Sequence, residues 1–204
     1  FAPVADVWSN AENQVIGDRS FGTDPEKVAK MVAEAVRGFH DSQIRTAVKH
    51  FPGHGNTVED SHREFAYNYS TKEELEKGEW KPFEAGIEEQ SEFVMVGHIC
   101  CPNIISEETP ASLSEELVTD ILRNEMGFDG IIITDAMDMG AVTAHYSCGE
   151  AAVRALEAGA DMILMPENFQ EAYEAVLQAV TDGRISEKRL NESVSRILDC
   201  KKSR

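Results

Sequence analysis

The stretch KHFPGHGNTVEDSH, residues 49–62, decides how the rest of the chain is interpreted. It follows an apolar run, residues 46–48, that predicts a buried strand, and Pro52, Gly53 and Gly55 then break that strand. The loop also concentrates ionisable side chains, namely Lys49, His50, His54, Asp60 and His62. Because α/β folds place their chemistry on loops that follow the carboxyl ends of strands, the stretch predicts a functional loop on an α/β scaffold.

Strand-like and helix-like segments alternate along the whole chain. The strand-like segments are residues 1–7, 45–50, 92–99, 130–134 and 160–165. The segment GIIIT shows no polar alternation, which is typical of strands that are buried on both faces of a parallel sheet. Alternating β and α units predict a parallel sheet, either doubly wound or closed as a barrel.

Capping residues indicate where the helices begin. Asp24, Thr71, Ser114 and Ser186 each precede a segment with apolar residues at helical spacing. Gly38 is expected to end the first of these helices. The alternation of elements continues to the last helix without a low-complexity linker, so we expect residues 1–204 to form one domain.

The ends of the strands favour the barrel. Neither GxGxxG nor GxxxxGK[ST] occurs, so a nucleotide-binding fold has no positive support. Ionisable residues instead end nearly every strand, namely Asp6, Lys49, His50, His98 and Asp135. About five strands are visible, whereas a closed barrel of this kind has eight. The sequence therefore predicts a TIM-type (β/α)8 barrel, of which this chain carries about the last five β/α units.

Composition limits the class of partner. The 204 residues are 42% hydrophobic and carry a net charge of −18, which argues against nucleic acid or an anionic membrane surface as the main partner. No apolar run approaches the roughly 20 residues needed to cross a bilayer. No signal peptide is visible, and the four cysteines form no CxxC pair, so we expect free thiols and a cytoplasmic location.

Two candidate sites have a structural and a catalytic interpretation. Asp135 follows a buried strand, where a carboxylate either caps the next helix or takes part in catalysis. Asp60 stands two residues from His62, where it either belongs to a solvated turn or orients the imidazole as an acid/base group. Several histidines also permit a metal site, but their spacing matches neither HExxH nor HxH, so we expect no metal and no cofactor.

Longer motifs point to a family. KHFPGHG followed by DSH, with GFDGIIITDAMDMGA downstream, resembles glycoside hydrolase family 3 in its β-N-acetylglucosaminidase (NagZ-type) branch. The segments FAPVADVWSN, RSFGTDP, AAVRALEAGADMILMP and SVSRIL extend the resemblance over essentially the whole chain. It implies a retaining, exo-acting β-N-acetylglucosaminidase that removes terminal β-linked GlcNAc from cell-wall muropeptide or chitin-type fragments.

The resemblance also implies roles for individual residues. It implies that Asp135 is the nucleophile that forms a glycosyl-enzyme intermediate, and that His62 is the acid/base with Asp60 as its dyad partner. It further implies three residues that hold the hydroxyls of the terminal GlcNAc, namely Arg19, Lys49 and His50. A histidine with a pKa near ~6.5 can exchange a proton with the leaving oxygen at neutral pH.

The sequence departs from the family in one respect, which leaves alternatives open. The upstream strands and the motif D-x-E-G-G-R-V, whose Asp binds the outer hydroxyls of the sugar, are absent from residues 1–204. We therefore expect another copy of the chain or an N-terminal segment to complete the barrel. A β-N-acetylglucosaminide phosphorylase of the same branch is the second functional prediction, and a catalytically inactive binding or assembly module is the third.

Overall fold

The computed structural model describes residues 1–57, 64–105 and 107–202. In these ranges the strands are β1 (Ala47–Phe51), β2 (Ala66–Tyr67), β3 (Phe93–Val96), β4 (Ile99–Cys100), β5 (Ile131–Ala136) and β6 (Met162–Leu164). The α-helices are α1 (Pro25–Asp41), α2 (Lys72–Lys77), α3 (Lys81–Glu88), α4 (Gly140–Thr143), α5 (Cys148–Ala158), α6 (Phe169–Thr181) and α7 (Glu187–Lys202). A π-helix spans Glu116–Glu125, and short 3-10 helices span Gly17–Arg19 and Ala111–Leu113.

A parallel sheet in the order β1-β3-β5-β6 forms the centre of the fold. The N-terminal segment adds to the β1 edge, because Val4 forms a parallel bridge with Lys49 and the Ala5 N–H donates to the Lys49 carbonyl at 2.6 Å. Beyond the end of β3, β2 and β4 form a separate two-stranded parallel sheet. The arc of parallel segments with intervening helices confirms the predicted class, a partial α/β barrel.

The first helix shows how the sequence builds the outer layer. The Asp24 side chain accepts hydrogen bonds from the first-turn backbone, as predicted from its capping position. Val28, Val32 and Val36 recur at helical spacing and are buried in the core that the helices form with the sheet. The prediction that Gly38 ends the helix is wrong, because α1 continues to Asp41. A glycine within a helix costs only about 1 kcal/mol relative to alanine, which the packing of one apolar face can offset.

Helices cover the sheet closely. A Cβ atom on Gly86 of α3 would lie 2.6 Å from Cγ1 of Val48, so only glycine lets α3 approach β1 this far. The main core runs continuously under β1, β3 and β5 and includes the large buried side chains Trp80, Phe51 and Phe83. Among the described helices, none is both long enough and apolar enough to span a bilayer.

Candidate active site

A break in strand pairing shapes the end of β1. Lys49 is paired with Met95, and Phe51 is paired with Val96. Between these two pairs β1 therefore contains one residue more than β3. The extra residue is His50, and the peptide bond that joins it to Lys49 is cis. An extra residue in strand pairing, a β-bulge, redirects side chains and is common next to functional sites. The strand that precedes the functional loop therefore presents consecutive polar side chains where a regular strand would continue its alternation.

Asp6 anchors this irregular segment. Its carboxylate is fully buried and accepts the backbone N–H of His50 at 3.2 Å and the backbone N–H of His54 at 2.7 Å. The Nδ1 atom of His50 lies 2.7 Å from Oδ2 of Asp6. Because an ionised carboxylate only accepts hydrogen bonds, Nδ1 carries the proton, and in the neutral ring Nε2 then carries a lone pair.

Lys49 and Arg19, two of the predicted sugar-binding residues, lie close together. Burial lowers the pKa of Lys49, and the charge of Arg19 lowers it further, while Asp135 and Asp6 oppose this change. The Arg19 side chain is exposed, and its guanidinium donates to the Val15 carbonyl at 2.6 and 3.1 Å. The structure thus brings Lys49, Arg19 and Asp135 into one electrostatic environment, although 86 residues separate Lys49 from Asp135.

Asp135 lies on a second irregularity in the sheet. Ile133 is paired with Met162, and Ala136 is paired with Leu164. Between these two pairs β5 therefore contains one residue more than β6. Asp135 is half-buried at this point, and its Oδ1 accepts the N–H of Ala136 at 2.8 Å. The carboxylate therefore holds the backbone directly after it and lies at the carboxyl end of the sheet, where α/β barrels place catalytic groups.

The two remaining predicted catalytic residues, Asp60 and His62, lie outside the described residues, and their roles stay predictions. The described part of their loop, residues 52–57, is held firmly. The His54 carbonyl accepts the Asn13 side-chain amide at 2.6 Å, and burial lowers the pKa of the His54 imidazole. A Cβ on Gly55 would lie 1.8 Å from the Val7 carbonyl oxygen, so the loop requires glycine there.

A buried carboxyl group lies beneath the same loop. Glu79 is 7% exposed, and its Oε2 accepts the side-chain amide of Asn68 at 2.6 Å. Gly53 has a φ of 124°, and a Cβ there would lie 2.9 Å from Oε2 of Glu79. Burial raises the pKa of Glu79 to about 8, against the opposing hydrogen bond from Asn68. The carboxyl is therefore protonated at neutral pH and supports the loop as a neutral group.

Sequence reasoning did not assign roles to Asp6 and Glu79. Asp6 shows no signal in the sequence beyond its place at the end of a predicted strand, and Glu79 stands beside Trp80 in a segment with no motif. Their partners are distant in sequence, so no local pattern indicates them. For a metal, the described ranges contain no group of three or more His, Cys, Asp or Glu side chains placed to hold an ion.

Comparison with known families gives a match over almost the whole chain. The family model described as "Glycosyl hydrolase family 3 N terminal domain" matches residues 1–200. A β-hexosaminidase from Stenotrophomonas maltophilia (strain K279a) is 41% identical over 180 residues, which cover 86% of this chain and 52% of that protein. The chain thus spans about half the length of this relative.

Solved structures show the same fold. A glycoside hydrolase family 3 β-N-acetylglucosaminidase from Paenibacillus sp. str. FPU-7 superposes with a TM-score of 0.95 and 44% identity, over 98% of this chain and 38% of that one. The β-glucoside phosphorylase BglX superposes with a TM-score of 0.92 and 33% identity, over 97% of this chain and 37% of that one. Together with the parallel arc, these likenesses confirm the predicted barrel fold.

Proposed function

The chain belongs to glycosyl hydrolase family 3, and from this premise we propose that the protein acts as a retaining β-N-acetylglucosaminidase. The proposed substrates are saccharides with a terminal β-linked GlcNAc, such as cell-wall muropeptide or chitin-type fragments. Since the chain spans about half of its relatives, the activity is proposed for the intact protein. The names of the relatives, β-hexosaminidase and β-N-acetylglucosaminidase, support the choice of sugar.

One observation carries the proposal. Asp135 lies on the irregular end of β5, held by the Ala136 N–H, in the same electrostatic environment as Lys49. A carboxylate in this position can attack an anomeric carbon and form a glycosyl-enzyme intermediate. Lys49 and Asp135 attract each other electrostatically, so the lysine places a positive charge beside the proposed nucleophile.

The acid/base role is proposed for His62, with Asp60 as its partner, on the strength of the KHFPGHG…DSH signature. The histidine would protonate the leaving oxygen and then take a proton from the incoming water. A ring with an ordinary pKa near ~6.5 can perform both steps at neutral pH. The anchored segment before it, residues 52–57, gives the loop a fixed starting point.

The sugar-binding role is proposed for Arg19, Lys49 and His50. Asp6 holds Nδ1 of His50 at 2.7 Å, which leaves Nε2 as an acceptor for a sugar hydroxyl. Lys49 and Arg19 offer N–H donors in the same region. A donor pair beside an acceptor suits a polyhydroxylated ligand, because each hydroxyl both donates and accepts hydrogen bonds.

The test uses an aryl β-GlcNAc substrate and an Asp135→Gly variant of the intact protein. We expect the wild type to release the aryl group and the variant to lose this activity. Azide should then restore turnover in the variant and yield the glycosyl azide of inverted configuration, because the small anion occupies the space of the missing carboxylate. Unchanged hydrolysis by Asp135→Gly without azide would rule out Asp135 as the nucleophile.

A second candidate function is phosphorolysis. The likeness to β-glucoside phosphorylase BglX favours it, and so does the proposed histidine acid/base. A neutral imidazole repels an incoming phosphate anion less than a carboxylate base would. Product analysis in phosphate buffer separates the two candidates, because a hydrolase releases free GlcNAc and a phosphorylase releases GlcNAc-1-phosphate. Binding of GlcNAc without either product would instead favour a non-catalytic binding module.

A further inference from the structure

His98 lies fully buried between β3 and β4 and contacts the segment that carries Asp135. Its Nε2 lies 2.9 Å from the carbonyl oxygen of Ala136, and its Nδ1 lies 2.7 Å from Oγ of Ser112. The proposed mechanism uses neither His98 nor Ser112. Resting on the proposed function, we infer that His98 is a positioning residue that sets the geometry of Asp135 through the backbone of Ala136.

The direction of the hydrogen bonds follows from the chemistry of the partners. A carbonyl oxygen only accepts, so Nε2 of His98 must carry a proton and donate to Ala136. In the neutral ring Nδ1 then accepts, and the Ser112 hydroxyl donates to it. Ser112 is fully buried, and its backbone N–H donates to the Gly97 carbonyl at 3.2 Å. The serine thus holds both the imidazole and the backbone next to it.

Ala136 links the imidazole to the carboxylate. Its N–H donates to Oδ1 of Asp135 at 2.8 Å, and its carbonyl is held by His98. The direction of the N–H and the direction of the carbonyl both depend on the backbone torsions around Ala136. The hydrogen bond from His98 to the Ala136 carbonyl therefore limits how far the Ala136 N–H can rotate. It also limits the rotation of the Asp135 carboxylate, which accepts from that N–H.

The hydrogen bond from His98 lies where the pairing of β5 with β6 is irregular. Between Ile133 and Ala136, β5 contains one residue more than β6 opposite, so regular pairing does not fix Asp135. On the β6 side, the Met137 N–H donates to the Leu164 carbonyl at 2.9 Å. On the opposite side, His98 donates a hydrogen bond to the Ala136 carbonyl. Residues 136 and 137, directly after Asp135, are thus hydrogen-bonded on both sides to groups outside β5.

A pair of substitutions separates the contact of His98 with Ala136 from its contact with Ser112. In His98→Gln, the amide Nε2 overlays the ring Nε2 and can still donate to Ala136. In His98→Asn, the shorter amide remains near Ser112 but does not reach the carbonyl. We expect His98→Asn to lower kcat on an aryl β-GlcNAc by about 10- to 100-fold with little change in KM, because small displacements of reacting groups are costly. His98→Gln should recover most of this loss.

The same substitutions in an Asp135→Gly background give the decisive control. With azide as the external nucleophile, the position of residue 135 no longer sets the rate, so His98→Asn should change the rescued rate by less than about 2-fold. An equal loss in both backgrounds would mean that His98 serves general stability, and would overturn the inference while leaving the proposed function intact. Lack of activity in the wild type would overturn the proposed function and the inference with it.

Ser112→Ala keeps the test valid if the histidine variants fail to fold. Removing the hydroxyl leaves His98 in place but frees its ring to change tautomer or tilt. We expect a kcat loss of about 3- to 10-fold in the wild-type background and none under azide rescue. Equal losses in the two backgrounds, or no loss in either, would contradict the inference.

Discussion

Two clusters of charge lie at opposite ends of the main sheet and are built differently. At the amino end, just before β6, the Asp161 side chain is fully buried and surrounded by donors. Arg123 contacts it at 2.6 Å, Ser193 at 2.6 Å, the Ile132 N–H at 3.0 Å and Arg196 at 3.1 Å. These partners come from β5, the π-helix and α7, so the cluster joins the sheet to its helical cover.

At the carboxyl end, the hydrogen bond that Asp135 accepts within the described ranges comes from the neighbouring Ala136 N–H. Arg19 hydrogen-bonds to a backbone carbonyl, and burial lowers the pKa of Lys49. The difference shows how the same residue type acquires two roles. A carboxylate enclosed by cations stabilises the fold, whereas one that is held in place and left with unused acceptor capacity can act on a substrate.

The largest effect should come from Asp135→Asn. The amide keeps the shape and the contact with Ala136 but removes the nucleophile, so kcat on an aryl β-GlcNAc should fall by about 10⁴-fold or more. Thermal unfolding should be almost unchanged, because among the described residues the carboxylate accepts a hydrogen bond only from the Ala136 N–H, which an amide oxygen can still accept. The exposed Asp138, three residues later, gives the matched control, and Asp138→Asn should retain full activity. A large loss of stability in Asp135→Asn would contradict the contrast between the two ends.

Asp161→Asn should show the opposite pattern. Removing the buried charge leaves Arg123, Arg189 and Arg196 without their shared carboxylate. We expect a loss of about 3–5 kcal/mol in the free energy of unfolding, measured by urea denaturation. Under conditions where the variant remains folded, its kcat should stay within about 3-fold of the wild type, because mutations far from the site act mainly on stability. A selective loss of kcat would show that the two ends are coupled.

Glu79→Gln should produce a smaller effect that depends on pH. The carboxyl has a pKa of about 8 when folded, against roughly 4.3 in an unfolded chain. Between these values the folded state binds more protons than the unfolded state, so the stability contributed by Glu79 falls as the pH rises. The neutral amide escapes this penalty. The variant should therefore match the wild type near pH 4 and exceed it by about 3–4 kcal/mol at pH 7.

Urea titrations at a series of pH values check this prediction. The gain of Glu79→Gln over the wild type should grow from pH 4 to pH 8 and then level off. A difference that stays constant across this range would contradict the raised pKa. Because Glu79 supports the loop at Gly53, kcat should be compared at the same pH values.

The smallest effect should come from an exposed ion pair. Arg184 contacts Glu150 and Glu157, and the three side chains are 33–44% exposed, so water reaches both ion pairs. Exposed pairs are screened by solvent, so Arg184→Gln should change the free energy of unfolding by less than about 1 kcal/mol. A loss comparable to that of Asp161→Asn would show that exposure does not separate strong from weak charge contacts in this protein.

Much of the fold was predictable, because periodic apolar segments and caps are local signals. The helix caps at Asp24 and Thr71 occur as expected. The segment Glu116–Glu125 forms a π-helix, although its apolar spacing predicts an α-helix. The short strands β2 and β4 were not predicted either, since two-residue strands carry almost no pattern.

The site was predictable where side chains follow strands and hidden where contacts join distant residues. Lys49 and Asp135 stand near the carboxyl ends of predicted parallel strands, so the predicted topology brings them to one side of the sheet. The hydrogen bond between His50 and Asp6 joins residues 44 positions apart and depends on the irregular pairing of β1. The hydrogen bond from His98 to Ala136 joins residues 38 positions apart and depends on the irregular pairing of β5. Periodicity cannot reveal an irregularity that consists of a single extra residue.

The most direct test of the central claim is to identify the residue that carries the glycosyl group. A fluorinated β-GlcNAc derivative that forms the intermediate quickly and releases it slowly should label the intact protein once. Peptide mass spectrometry should then place the added sugar on Asp135. A label on another residue, or normal turnover of the aryl substrate with no covalent intermediate, would contradict the account.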